Sequence, residues 1–433
     1  MTVPATSSAT ATGASTAPMG ITAGQRRRAV GILFLFMALH QADKLMIGPL
    51  TTPIMAAFRI NEAQMGAAMT GAVIVGAVCY PLWGYLYDRH ARPRILALAA
   101  LIWGSTTWLG AIAPTFGTFM AARASTGIDD ASYPGIYSLI SDYFGPTRRG
   151  RVIGFLQLSM IIGPLAGMAL ATPLRDSLGW RGVFYITGAL GVVAALLILL
   201  GVREAPRGRT EPELEGQEQV ALYRFNWRTV RELLRKPTLV MLFVQQFIYV
   251  FPFMALTYWY FRYLETERQL SPDKVVMVMG VFALAGAVGN VAAGYLGDVC
   301  FKRTPRGRIL VAIGGVILLV SFFTTALRLP AESFALFFIL QTIGSFFTAF
   351  VFPNAMSTLQ DIVAPEVRST AHAILGIAEM GGSALAPLLV AVLAVASSLQ
   401  QALLTVTTVG WLSGLVLLLG VLYSLSGTLW VSI

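Results

Sequence analysis

His40, Asp43 and Lys44 stand within five residues of one another inside an apolar run, 29–57. A second run, 118–142, carries Arg123, Asp129 and Asp130. A charge at bilayer depth costs at least about 2.5–3.5 kcal/mol on insertion scales, so ionisable residues kept there are candidates for ion, proton or substrate pathways. A carboxylate beside a lysine is a natural proton switch, because its proton affinity changes when its partner changes. The competing reading is a buried ion pair that locks two helices together. Adjacent helical positions differ by about 100°, so one of Asp129 and Asp130 is expected to face a cavity and the other a neighbouring helix. Glu379, in "GIAEMGG", either pairs with a basic residue across a cavity or seals a helix interface. Gln245, Gln246, Tyr249 and Asn354 read as polar cavity contacts.

The elements that must hold these residues follow from composition. The 433 residues are 56% hydrophobic and 12% charged, with a mean hydropathy of +0.70. Soluble domains carry roughly 25% charged residues. Apolar runs of about 20 residues, enough to span a bilayer as helix, recur at 29–57, 65–87, 95–113, 118–142, 150–172, 182–202, 238–262, 274–298, 308–327, 332–360, 370–396 and 400–426. The expectation is an all-α membrane protein of twelve transmembrane helices. With both termini placed in the cytoplasm, 22 of the 31 Lys and Arg residues fall on the inner face and seven on the outer. That bias is the positive-inside rule, so the net charge of +10 orients the chain and does not point to nucleic acid. Residues 1–25 are Ser/Thr/Ala-rich and expected to be disordered. The apolar run after Arg28 is too long for a cleaved signal peptide. Cys79 and Cys300 suggest no disulfide.

The chain divides at its longest polar stretch. Residues 26–202 form a six-helix bundle, 203–237 a cytoplasmic linker and 238–433 a second bundle. Within the linker, 224–236 reads equally as an interfacial helix or a solvated segment. The halves repeat. "GYLYD" (84–88) recurs as "GYLGD" (294–298), and "YPGIYSLISDYFGPTRRG" (133–150) matches "FPNAMSTLQDIVAPEVRS" (352–369). Pro134, Ser138, Asp142, Pro146 and Arg149 thereby fall on Pro353, Ser357, Asp361, Pro365 and Arg368. Duplication of a six-helix unit is a transporter architecture, with a substrate site between two pseudo-symmetric bundles around a central cavity.

"GYLYDRHARPR" (84–94) resembles the signature of the major facilitator superfamily between its second and third helices, with Ala91 where Gly is usual. Gly84 would let two helices approach closely, and Asp88 can cap a helix or pair with an Arg. The resemblance implies a cytoplasmic gate built from Gly84, Asp88, Arg89 and Arg92, with Asp298, Asp142, Arg149, Asp361 and Arg368 at the repeated positions. A topogenic basic loop is the alternative. Within the superfamily, 127–167 and 359–374 look most like the Spinster-type lysolipid and sphingolipid transporters, with the anion:cation symporter branch close. Both branches carry Asp-Arg in the first helix and Glu in the fourth. The matching positions here are Asp43, Lys44 and Asp130, which keep charge sign but change reach. The resemblance also implies that helices 1, 4, 7 and 10 line the cavity.

The function expected is secondary active transport of an anionic or amphiphilic organic solute, a lysophospholipid among the candidates, coupled to protons. A symporter of a small organic anion such as a sugar acid or carboxylate is the alternative, since Lys44 and Arg123 suit an anionic head group. The aromatics of 249–261 and 345–352 suit an apolar tail, or face lipid. No nucleotide motif is found and no cofactor is expected. An enzyme is disfavoured, because His40, His90 and His372 have no nucleophile at a recognisable spacing. A non-transporting sensor would carry an appended soluble domain, and the chain ends at Ile433, just past the twelfth helix. A monomer in the plasma (inner) membrane is expected, with the lipid bilayer, protons and the solute as partners.

Overall fold

The computed structural model describes residues 21–130, 132–205, 231–363 and 368–428. All regular structure among them is helical. The first helix, α1 (Ala23–Phe58), begins three residues inside the arm expected to be disordered. A capping box of Thr22 and Gln25 satisfies its first amides. Then come α2 (Glu62–Arg89) and α3 (Arg92–Ile112), one crossing each. The turn between α1 and α2 is closed by Arg59 in the left-handed region and by Asn61 capping α2.

The fourth crossing is not one helix. It divides into α4 (Phe116–Ser125), α5 (Gly127–Asp130) and α6 (Pro134–Tyr143). Pro134 has no amide to donate, so the hydrogen-bond ladder lapses there although Tyr133 keeps helical angles. The helix therefore restarts at the proline, which takes the first position of α6. The equivalent Pro353 divides the tenth crossing into α12 (Phe334–Thr348) and α13 (Phe352–Ile362). Between them lie α7 (Pro146–Gln157), α8 (Ser159–Gly201), α9 (Pro237–Thr266), α10 (Pro272–Phe301) and α11 (Gly307–Arg328). The chain ends with α14 (Arg368–Ala396) and α15 (Leu399–Thr428). Gly179, at φ 71, breaks α8 into the fifth and sixth crossings. Twelve crossings result among the described residues. The linker expected at 203–237 lies largely outside the described residues, as does most of 224–236.

The repeat is physical as well as sequential. A Cβ on Gly127 would come within 1.9 Å of the Ala72 carbonyl oxygen, so α5 lies directly on the backbone of α2. In the second half, a Cβ on Gly289 would come within 1.8 Å of the Phe346 carbonyl, placing α10 on α12 in the same way. Each half thus presses its second crossing onto the middle of its fourth, with the glycine on opposite partners.

The halves meet through α1 on α9, α2 on α14 and α8 on α10. One buried apolar cluster runs across both halves, from Leu50, Ile54 and Phe119 to Trp259 and Phe261. The other, around Trp83, Tyr87 and Trp103, belongs to the first half alone. The joint therefore sits toward the end where α1 and α9 finish.

Gly127→Ala and Gly289→Ala should each lower the thermal midpoint in nanodiscs by several degrees, because overpacking costs about 1–3 kcal/mol. Gly314→Ala is the control, since a Cβ there meets nothing within 4 Å. Equal midpoints for all three variants would refute the close-approach account.

Candidate functional site

The charged residues of α1 and the fourth crossing converge within the first half. His40 Nε2 lies 2.7 Å from Asp129 Oδ2 and 3.7 Å from Asp130 Oδ1. The other ring nitrogen pairs with the Tyr133 hydroxyl. One turn along α1, Lys44 Nζ lies 3.1 Å from Asp130 Oδ2. Asp129 and Asp130 therefore both reach His40, contrary to the expectation that one would face away. The reason is local: α5 is a single turn, and the His40 imidazole sits between the two carboxylates. The partner of Lys44 is accordingly Asp130 and not its sequence neighbour Asp43.

Asp43 and Arg123 are 6% and 9% exposed, and neither forms a side-chain hydrogen bond or ion pair among the described residues. Both line a pocket of about 20 Å³ with His40, Lys44, Asp129, Asp130 and Tyr258. That is room for roughly one water. With a neutral imidazole, the pocket holds three carboxylates against one lysine and one arginine, a formal excess of one negative charge.

A much larger cavity of about 610 Å³ lies between the halves. Its walls are mainly apolar and come from both halves, with Leu45, Met160, Leu165 and Met168 opposite Phe253, Met254, Met279, Phe282 and Phe352. Gln246, Tyr249 and Glu379 line it as polar groups. Gln246 Nε2 donates to Glu379 Oε1 at 2.7 Å, and the Tyr249 hydroxyl donates to the Thr348 carbonyl. Glu379 has no cationic partner among the described residues, so of its two readings the pairing with a basic residue is absent here.

Several expectations shift here. Gln245 is fully buried, away from the cavity, and both its amide atoms lack a hydrogen-bond partner. It is one residue, about 100° of helix, from Gln246. Asn354 is also buried, and its amide bonds the Ala293 and Phe350 carbonyls, tying α13 to α10. The fourth crossing does not line the large cavity; the fifth, eighth and eleventh crossings do, beside the first, seventh and tenth. Lys44 and Arg123 face the small pocket instead.

The expected gate residues form pairs inside each half. Arg92 is 1% exposed. Its guanidinium contacts Asp142, Ser138 at 2.9 Å and Glu204 at 2.6 Å. In the second half Arg308 does the same work, pairing with Asp298 at 2.8 Å and with Asp361. Arg149 donates to the Ser141 carbonyl, and Arg89 lies 4.3 Å over the Tyr85 ring. The side chains of Asp88 and Arg368 lie outside the described residues. Gly84 does not support a close helix contact: a Cβ there meets nothing within 4 Å. Neither Arg308 nor Glu204 lies in a motif; only their contacts with the motif residues Asp298, Asp361 and Arg92 mark them.

A polar chain at the opposite end joins the halves. It alternates between them: Arg175 to Glu265 at 2.6 Å, Glu265 to Thr52 at 3.0 Å, Thr52 to Arg262 at 3.0 Å, and Arg262 to Glu62 at 2.7 Å. No motif marks these residues; charge near the ends of membrane crossings is the only signal, and it does not reach Thr52.

The model of the Major Facilitator Superfamily matches residues 33–327 and 263–430. The chain belongs to that superfamily of membrane transporters. It is an integral, multi-pass membrane protein, not a member of an enzyme family. It is 28% identical over 354 residues to Protein spinster of Drosophila melanogaster, covering 79% of this chain and 58% of that relative. It is 24% identical over 380 residues to Protein spinster homolog 1 of Xenopus laevis, covering 84% of this chain and 72% of the relative. The crystal structure of a bacterial homolog to the human lysosomal transporter Spinster, inward-facing and unoccupied, superposes with a TM-score of 0.78 at 22% identity, over 94% of this chain and 97% of that one. The likeness within the superfamily is thus to Spinster-type proteins, as the motifs at 127–167 and 359–374 suggested.

Glu62→Arg or Arg262→Glu should open the bridged end, whereas the double exchange should close it again. A partly exposed pair contributes up to about 1 kcal/mol. Maleimide labelling of a cysteine placed at Thr257, with Cys79 and Cys300 replaced by Ser, should therefore rise about fivefold from that end in each single variant. No rise in either single variant, or no return in the double, would show that the bridge does not hold the halves.

Proposed function

We propose that this chain is a proton-coupled secondary transporter that moves an amphiphilic organic solute by alternating access, with lysophospholipids among the candidates. The observation that carries the reading is the 610 Å³ cavity between the halves, apolar along its walls and polar at Gln246, Tyr249 and Glu379. Cavities of about 300–1,000 Å³ suit a drug-sized ligand, and a long apolar wall suits an acyl chain. A small organic anion fits less well, because Lys44 already holds Asp130 and Arg123 does not line that cavity.

The basic bias of the loops favours cytoplasmic termini in a plasma membrane. On that orientation the polar chain through Arg175 and Arg262 closes the outer side, and the chain stands inward-open. The gate residues, Asp88 and Arg89 with Arg92–Asp142 and Arg308–Asp361 behind them, would then close the inner side in the opposite state. Nothing in the reading requires more than one copy, and a monomer is proposed.

The small pocket supplies the coupling. A net negative charge is costly to carry through an occluded state at low dielectric. One added proton cancels the excess. Asp43 is the carboxylate best placed to take it, since protonating Asp43 breaks no ion pair, whereas protonating Asp129 or Asp130 would break one with His40 or Lys44.

Asp43→Asn fixes the pocket at zero formal charge. In reconstituted vesicles with an imposed pH gradient it should abolish uphill accumulation of a lysophospholipid and leave solute exchange within about twofold of the parent protein. Continued uphill accumulation by the variant would exclude Asp43 as the proton carrier.

A further inference from the structure

The large cavity has one side chain that would carry a charge in its ordinary ionised form, and that charge is negative. Among its described lining residues Glu379 is the only acidic or basic side chain. Its carboxylate accepts a single hydrogen bond, from the neutral amide of Gln246. An ionised carboxylate offers about four acceptor sites, so most of its capacity is unused. The basic residues that would attract an anion, Lys44 and Arg123, line the separate 20 Å³ pocket, where Lys44 is held by Asp130. Tyr249, Phe253 and Phe352 bring aromatic rings to the same cavity. Aromatic walls around a carboxylate suit an organic ammonium ion, since ring quadrupoles attract cations.

We propose that Glu379, oriented by Gln246, is the recognition point for the positive group of the cargo, and that the cargo is an amphiphilic organic cation or a zwitterion bound by its cationic end. Its apolar body lies along Met254, Met279 and Phe282. This inference rests on the cavity being the transport site. It departs from the anionic head group that the sequence suggested. Glu379 sits on α14 and Gln246 on α9, both in the second half, so the charge of the cargo is read by one half while the ionisable groups proposed to handle the proton, Asp43, Asp129 and Asp130, belong to the other.

Tetraphenylphosphonium and tetraphenylborate test this directly, because they share a shape and differ in charge sign. Binding of each to the full chain in nanodiscs is measured by equilibrium dialysis, with empty discs subtracted. Wild-type protein should bind tetraphenylphosphonium more tightly than tetraphenylborate. Glu379→Gln, which keeps the shape of the side chain, should weaken tetraphenylphosphonium binding about tenfold, the loss of one contact of about 1.4 kcal/mol. Ala287→Trp, which fills the cavity, should remove binding of that ion. Unchanged tetraphenylphosphonium affinity in Glu379→Gln, or tighter binding of the borate by wild type, overturns the inference about charge. If Ala287→Trp also leaves binding intact, the cavity is not the site and the transport reading built on it fails. Loss of binding in Ala287→Trp without an effect of Glu379→Gln removes the charge inference alone.

Discussion

A charge inside a membrane must find a partner or a proton, and where that partner sits decides what each ion pair in this protein can do. Pairs made within one half travel with it. Arg92 with Asp142 and Glu204 binds the start of α3 to the end of α6 and the chain after α8. Arg308 with Asp298 and Asp361 makes the equivalent tie in the second half. Pairs made between halves can only be kept in one arrangement of the two. The four-contact chain from Arg175 to Glu62 is of that kind.

The same constraint separates two tasks that the sequence seemed to merge. Lys44 and Arg123 looked like anchors for an anionic cargo. Instead, the carboxylates of α5 draw the side chains of α1 into a compact pocket of first-half residues that Tyr258 of α9 closes, leaving Glu379 as the one acidic or basic side chain among the described residues of the larger cavity. The pocket proposed for the proton and the cavity proposed for the cargo both border α1, where Lys44 lines the first and Leu45 the second, so the helix can couple them.

Hydropathy placed all twelve crossings to within a few residues, since a span needs about 20 apolar residues whatever its neighbours are. It also isolated the residues of the small pocket, because charge is rare enough at that depth to stand out. Rotation was harder to see. The seventh crossing is apolar nearly all round, so nothing in it distinguished the face of Gln245 from that of Gln246. Pro134 and Pro353 were visible, yet the divided helices they produce were not, and the single-turn α5 is what aims Asp129 and Asp130 together. Gly84 reads as a close contact by its motif, whereas close backbone approaches fall at Gly127, the first residue of the stretch 127–167, and at Gly289, which lies in no motif. The ion pairs between the halves were beyond reach because their partners are more than 80 residues apart and follow no pattern.

The central claim of the proposed cycle is that the halves move as rigid bodies and part where the chain from Arg175 to Glu62 now joins them. Pulsed electron-spin distances test it most directly, in protein with Cys79 and Cys300 replaced by Ser. Labels at Ala57 and Ser177 lie within the first half, and labels at Ala57 and Thr266 lie across the joint. The account predicts one distance for the first pair under all conditions, and two for the second, with populations that shift with pH. A single distance across the joint at every pH, or an equal change within the half, would contradict it.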